Sequence, residues 1–586
     1  MKILLVAVDA KFIHTNLAVH CLREYAGKYK DHIQIAQFSI NNTREEILRG
    51  IYLEHADVVA FSCYIWNINI ILSVIKCLRK VQPQVKIWLG GPEVSYYSQD
   101  YLANYKEIDG IVIGEGEQTF CGLVRYYLGE INVLSGIKGI AFRKSAEINN
   151  AEIMNYGAGD DGEITVTSPR EPLSLDTVPF PYEDLESLNN RIIYYESSRG
   201  CPYGCSYCLS SAHRGVRFRD MELVKKELKI FLEGKVPQVK FVDRTFNCNK
   251  AHAMEIWRFI KEHDNGVTNF HFEITADLLD EEELELLESL RPGLVQFEIG
   301  VQTTNPETMK AINRTVDFKK LAENVKRLRK AHNIHQHLDL IAGLPLEDYA
   351  SFEKSFNDVY RLRPDQLQLG FLKVLKGSLI EKDCEKYGIV YSSEPPYEVL
   401  YTNHISFDEI LELKGICNMV DVYYNSGQFS YSLEFMEHFF ESPMKMYLAL
   451  YRYYERNGLY TLEHSRMRRY DILYDFFKDM IKTCKESPDE EIDVFKEILI
   501  YDYCLREGLK NRPCYAGPPV EYQKFKKICN ELEVERSKAH MEHFTYDVIR
   551  SAENGKGMKK NYTVLFDYSR RDPITRSAKT LDISEY

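Results

Sequence analysis

The sequence contains no stretch of eighteen consecutive apolar residues, so nothing in it reads as a membrane-spanning helix. Its opening residues, MKILLVAVDA, hold one lysine and an apolar run that Asp9 interrupts. That pattern fits a first β-strand rather than a secretory signal and predicts a cytoplasmic protein. Positive charge is not in surplus either. With 74 Lys and Arg against 87 Asp and Glu, the formal net charge is −13. No broad electrostatic grip on nucleic acid is expected, because that needs clustered cations to displace counterions. The basic run at 319–330 has helical spacing around Glu323 and reads as a solvated helix face. Cysteine occurs fourteen times but without a framework of regular spacings, which predicts free thiols in a reducing compartment. A length of 586 residues predicts about three domains.

One stretch stands apart. Residues 194–211 read YYESSRGCPYGCSYCLSS, with Cys201, Cys205 and Cys208 at C-x-x-x-C-x-x-C spacing. Three thiols in one short loop can grip three corners of a cubic iron-sulfur cluster and leave one iron without a protein ligand, where ferredoxins supply four. A structural zinc site wants four ligands, usually as two pairs, and the chain has no second C-x-x-C. The stretch resembles the signature loop of radical S-adenosylmethionine (SAM) enzymes, including the aromatic before the third cysteine, here Tyr207. The resemblance implies a 4Fe-4S cluster on Cys201, Cys205 and Cys208 and a SAM molecule bound through its amino and carboxylate groups to the open iron. It also implies a reductant such as flavodoxin or ferredoxin, whose electron cleaves the sulfonium to a 5'-deoxyadenosyl radical. Oxygen sensitivity follows from the cluster.

From residue 1 to 143, short β-branched runs (KILLVAV, HIQIAQFSI, DVVAFSCY, VKIWLGG, DGIVIGEGE, GIAF) alternate with amphipathic stretches. This predicts a doubly wound parallel sheet, whose ligands lie beyond the carboxyl ends of the strands. Ser62 and Tyr64, then Gly90, Gly91, Pro92 and Glu93, then Gly114, Glu115, Gly116 and Glu117 stand at those ends. Glycines there let backbone approach something bulky. WLGGPEVS with VIGEGEQTF is similar to the cobalamin-binding domain found ahead of many radical SAM enzymes, which implies a slot for the nucleotide tail of cobalamin. Members with an axial histidine carry D-x-H-x-x-G. Here Asp9 is followed by His14, Thr15, Asn16 and Leu17, so His14 is expected to line the cleft rather than ligate cobalt.

Residues 144–190, with YGAGDDGE and TVPFPYEDL, read as a linker with room for a hairpin. Residues 191–375 carry six strand-like runs separated by helical stretches: RIIYYES, QVKFVD, NFHFEIT, LVQFEIGVQ, HLDLIAG and QLQLGF. These predict a six-unit partial βα barrel with its site at the carboxyl ends. The resemblance places Asp243 near the SAM amino group and Gly343, Leu344 and Pro345 against the adenine. Glu273, at the end of the third strand, and Gln302, in a segment similar to the family's GVQ, are candidates either to touch SAM or to hydrogen-bond neighbouring strand termini. Glu298 lies within the fourth strand, and Arg199 and Arg244 are offered as partners for a carboxylate. Cys248 reads as a small apolar filler. Residues 376–586 are expected to form a mainly α-helical domain whose strand signal disappears, with NRPCYAGPP and LFDYSRRDP as ordered loops. This domain resembles one appended in an uncharacterised branch of cobalamin-type radical SAM proteins.

The α/β chain is thus expected to be a radical SAM enzyme using cobalamin for methyl transfer to an unactivated carbon of an unknown substrate. Rearrangement or cyclisation without methylation is the nearest alternative. A methylthiotransferase acting on transfer RNA or protein would ligate a second cluster with N-terminal cysteines, and Cys21, Cys63, Cys77 and Cys121 lack that arrangement. A non-catalytic cobalamin or redox sensor would need no radical-generating barrel.

Overall fold

The first strand, β1 (Ile3–Asp9), is buried along its whole length, as a strand covered by helices on both faces must be. The computed structural model describes residues 1–146, 163–211 and 215–584. β1 pairs in parallel with β2 (Ile33–Ser39) and β3 (Val58–Ser62), and β4 (Lys86–Gly90) and β5 (Gly110–Val112) continue in the same direction. The seven-stranded sheet has the order β2-β1-β3-β4-β5-β6-β7, with β6 (Ile140–Arg143) and β7 (Ile164–Val166). Alternate residues of β1 serve opposite cores. Leu4, Val6 and Val8 pack with Ile47, Ile51, Ile71 and Ile75 from the helices Arg44–Leu53 and Ile68–Val81. Ile3, Leu5 and Ala7 pack with Phe120 and Val124 of the helix Glu117–Tyr127.

Two expectations for this sheet are corrected. GIAF forms β6 antiparallel to β5, and β7, from the stretch read as a linker, adds antiparallel to β6. Apolar runs do not encode strand direction, and an antiparallel edge on a parallel sheet satisfies the same burial. The glycine- and aspartate-rich stretch before β7 falls largely outside the described residues.

The barrel strands are β8 (Ile193–Tyr195), then the ribbon β9 (Ser198–Cys201) and β10 (Gly215–Phe218), then β11 (Gln238–Phe241), β12 (Asn269–Ile274), β13 (Val295–Gln302), β14 (His335–Ala342) and β15 (Gln366–Phe371). The six-stranded sheet has the order β15-β14-β13-β12-β11-β8, and a helix follows each of β11 to β14.

By internal packing the chain divides into two compact units. The first holds residues 1–278, 312–314 and 372–400; the second holds 279–311, 315–371 and 401–586. In the second unit, the helix Phe407–Met419 runs into a π-helical turn, Val420–Tyr424. The next residue, Asn425, accepts from Leu367 N and donates to Leu367 O, both at 2.9 Å. Its amide thus satisfies the outer edge of β15, where unpaired backbone would otherwise invite association.

The C-terminal stretch is mainly helical, as expected, but its strand signal does not disappear. Ala539–Tyr546, Lys559–Arg571 and Ala578–Asp582 form an antiparallel sheet. LFDYSRRDP, expected as a loop, lies mostly within the middle strand. The density of tyrosine and phenylalanine there masks a period of two, since aromatic residues suit helix cores and strands alike. Glu542 in this sheet is buried and receives both Arg512 Nη atoms, at 2.6 and 2.9 Å. No described helix is long and apolar enough to cross a membrane.

Candidate active site

The cysteine loop is shaped before any ligand arrives. Gly200, at φ +106°, pairs with Val216 in the ribbon, and a Cβ on it would lie 2.2 Å from the Gly215 carbonyl oxygen. Only glycine fits that position. Ser211 Oγ donates to the carbonyls of Cys205 and Cys208, at 2.9 and 2.6 Å, closing the loop on itself. Cys201 and Cys205 are buried and Cys208 is half-buried. All fourteen cysteines are free. Burial pushes the Cys205 thiol up, the Arg314 guanidinium pulls it down, and the neighbouring Cys208 and Cys201 raise it again. Arg314 Nη1 lies 3.9 Å from Cys205 Sγ.

A cation beside the Cys205 sulfur suits a thiolate there, and soft thiolates suit an iron-sulfur cluster. The donor set therefore fits a cluster held by Cys201, Cys205 and Cys208. Sequence reasoning missed Arg314, because nothing in its spacing distinguishes it from other cations after a strand. Tyr207 is half-buried, and burial drives its phenol well above its usual range, which keeps it neutral.

Asp243, at the end of β11, is buried and engaged with the chain itself. It accepts from Ser197 N at 3.0 Å and from the hydroxyls of Ser197 and Ser198 at 2.6 Å each. Burial nevertheless lifts its carboxyl to about 6. These three bonds clamp the start of the cysteine loop. Arg199 is likewise engaged, with Glu196 and Glu117 at 2.7 Å each and Glu115 at 3.4 Å, whereas Arg244 is exposed. Glu273, half-buried, lies on β12, and Cys248 is half-buried.

In the second unit, Gln302 ends β13 at φ +71°, with its Oε1 buried and without a hydrogen-bond partner. A left-handed non-glycine residue with an orphaned acceptor is a mark of a functional rim. Gly343, at φ +81°, follows β14. The partly exposed face of β13 and β14 is polar: Glu298 pairs in register with His337, and His337 Nε2 is 3.1 Å from Asp339 Oδ1. Glu347, beyond β14 in the chain, is 1% exposed, accepts from the Thr303 and Ser355 hydroxyls, and is lifted by burial to about 7 from an ordinary 4.5.

Because the folded chain holds the Glu347 proton more tightly than the unfolded chain does, its contribution is full below pH 4.5 and is lost as pH rises through 7. Glu347→Gln is expected to remove about 3 kcal/mol of this pH dependence. Urea melts at acid and alkaline pH check it, and parallel pH slopes in the two proteins would contradict it.

The carboxyl edge of the first sheet has a different character. Gly91, at φ +110°, would place a Cβ 2.5 Å from the Cys63 carbonyl oxygen, whereas Gly114, at φ +75°, faces open space. Gly90 and Gly116 lie close against Val112 and Leu22. Tyr64 stacks on Trp66, with centroids 4.3 Å apart, and Trp66 is 44% exposed. Phe12, in the turn after β1, is 68% exposed, while Ser62 and Asp9 are buried, Asp9 with one oxygen unpartnered. Open backbone at Gly114, exposed aromatic surface and an orphaned carboxylate oxygen together fit a large cofactor of mixed polarity, as cobalamin is.

Glu93 and Glu115, both expected at this edge, are engaged with the chain: Glu93 with Lys376 at 2.9 Å, Glu115 with Arg217 and Arg199. His14 Nδ1 is 2.6 Å from the Tyr194 hydroxyl, and burial lowers its pKa. The ring is thus tied to β8 through Tyr194.

Comparison with known proteins agrees with this division of labour. Residues 3–124 match the B12 binding domain, residues 195–359 the Radical SAM superfamily, and residues 385–566 a family described as protein of unknown function (DUF4080). The chain belongs to the cobalamin-dependent radical SAM family. This radical SAM chain is 24% identical over 477 residues to the cobalamin-dependent radical SAM methyltransferase TokK of Streptomyces tokunonensis, covering 74% of this chain and 63% of TokK. It is 23% identical over 356 residues to the anaerobic magnesium-protoporphyrin IX monomethyl ester cyclase of Rubrivivax gelatinosus, covering 58% of this chain and 60% of the cyclase. It thus spans less than two thirds of the length of these curated relatives. The solved structure of the cobalamin-dependent S-adenosylmethionine radical enzyme OxsB shares its fold at a TM-score of 0.58 and 15% identity, covering 86% of this chain and 83% of OxsB.

Proposed function

We propose that this radical SAM chain holds a 4Fe-4S cluster on Cys201, Cys205 and Cys208, cleaves SAM reductively, and uses cobalamin at the carboxyl edge of the first sheet to methylate an unactivated carbon. The observation that carries this reading is the presence, within one compact unit, of a three-thiol loop and a sheet edge at which Gly114 faces open space beside the exposed Trp66. When bound, the cluster with SAM supplies one-electron bond cleavage and the cobalamin supplies methyl carriage.

The residues present do the rest. Arg314 holds positive charge against the Cys205 sulfur, and Asp243 fixes Ser197 and Ser198 at the start of the cysteine loop. The backbone at Gly114 admits a bulky group, Gly91 lets its turn pack against the Cys63 carbonyl, and Trp66 and Tyr64 offer a flat apolar surface. The match to TokK supports methyl transfer. The match to the cyclase favours a second reading, cyclisation without methylation. The substrate and the reductant, with flavodoxin or ferredoxin as candidates, belong to the proposal.

Anaerobic reconstitution with iron, sulfide and hydroxocobalamin, then SAM and a chemical reductant, tests it. Methyl transfer requires cobalt retained at about one per chain, together with 5'-deoxyadenosine and S-adenosylhomocysteine. Deoxyadenosine alone with cobalt retained favours cyclisation. A desalted chain without cobalt overturns the cobalamin reading.

A further inference from the structure

Residues 372–400 follow β15 in sequence but belong to the first compact unit, where they touch both of the loops described above. At one point Lys376 reaches the glycine turn after β4. Its Nζ donates to Glu93 Oε1 and to the Tyr101 hydroxyl, each at 2.9 Å, and lies 4.7 and 4.8 Å from the ring centroids of Tyr101 and Tyr397. Both phenols donate to the same Glu93 oxygen. The Glu93 side chain is 2% exposed. Burial and the Glu93 charge drive both phenols well above their usual range, so they remain donors.

Four residues further on, Ile380 N donates to Ser206 O at 2.8 Å, between two of the cluster cysteines. The Tyr97 hydroxyl donates to Glu381 at 3.0 Å, and Gly377 is so close to the Tyr96 ring that a Cβ would meet it at 2.2 Å. A carboxylate as buried as Glu93 is stable only while its cation stays in place, so Lys376 decides where the turn sits.

We propose that Lys376 is a positioning residue for the turn formed by Gly90, Gly91, Pro92 and Glu93, and that the strap of residues 376–381 couples this turn to the cysteine loop. Cobalamin at the first and the cluster at the second then strengthen each other's binding, a linkage that must be reciprocal. The inference rests on the cobalamin reading above.

The test is a titration of the full chain, freed of cobalamin, with hydroxocobalamin under anaerobic conditions, followed in the visible spectrum with and without the reconstituted cluster. Lys376→Met is expected to raise the cobalamin Kd about tenfold, as loss of a residue that orients a ligand-bearing group does. It is also expected to abolish the effect of the cluster on that Kd, about fivefold in the unaltered chain. Lys376→Arg should restore binding to within about threefold, because the cation and its hydrogen bonds are retained. Should Lys376→Met fail to fold by circular dichroism, Tyr397→Phe carries the test, with a weakening of roughly threefold from one lost hydrogen bond. Cobalamin bound equally by the unaltered chain and by the variants, with the cluster effect intact, overturns the role of Lys376 and leaves the cobalamin reading standing. An unaltered chain that binds no cobalamin overturns both.

Discussion

Replacing Cys205 with alanine is expected to eliminate iron binding and SAM cleavage together while the chain stays folded. Cys205 is the middle thiol of the three, 7% exposed, with the Arg314 guanidinium 3.9 Å from its sulfur. Its loss leaves two sulfurs to hold a cube that needs three from the protein, and the Arg314 cation loses the thiolate it faces. The removed group is a single small atom in a loop still closed by Ser211 and clamped by Asp243, so the stability cost is about 1 kcal/mol, within the ordinary range for one substitution. Iron and sulfide analysis, the visible spectrum and 5'-deoxyadenosine release under reduction decide it. Cleavage that survives the change would remove the cluster from the mechanism.

The second large effect is expected from Gly200→Ala, which alters no ligand. The new methyl group would lie 2.2 Å from the Gly215 carbonyl oxygen, and the backbone at φ +106° suits almost nothing but glycine. The ribbon of β9 and β10 must open or twist, and Cys201, the residue after Gly200, moves with it. A local cost of about 2–3 kcal/mol is anticipated from the strained backbone and the clash. That is enough to reduce iron incorporation by at least tenfold where the loop must be ordered to bind. Gly215 provides the comparison. At φ +107° it carries similar backbone strain, but a Cβ there meets nothing within 4 Å. Gly215→Ala should therefore retain more iron than Gly200→Ala, and equal losses would show that the close approach to Gly215 is not what shapes the loop.

Much of the candidate site was legible because its signals are local. The three thiols declare themselves by spacing alone. The six barrel strands follow from apolar runs broken by helical stretches, and the glycines after β4 and β5 mark turns that reach φ +110° and +75°. The charged residues were harder to read. Glu93 looks the same in sequence whether it faces a ligand or a lysine 283 residues away, and Glu115 is met by Arg217 from 102 residues away. Arg199, offered as a carboxylate partner, is held by three carboxylates of the protein itself. Residue type and strand-end position are shared by binding groups and by ion pairs that hold the fold, and only the distant partner distinguishes them.

The sequence by itself determined which cofactor chemistry the chain can support, because ligand type and ligand spacing are covalent properties of one loop. It also determined the number of barrel strands, since burial on a sheet imposes its period on neighbouring residues. The tertiary structure alone decided the antiparallel direction of β6 and β7, the sheet formed by the last fifty residues, the closure of the β15 edge by Asn425, and the strap that carries Lys376 to the glycine turn. These depend on pairing between segments far apart in the chain. Such pairing is governed by which backbone and which charge remain to be satisfied once the local elements have formed.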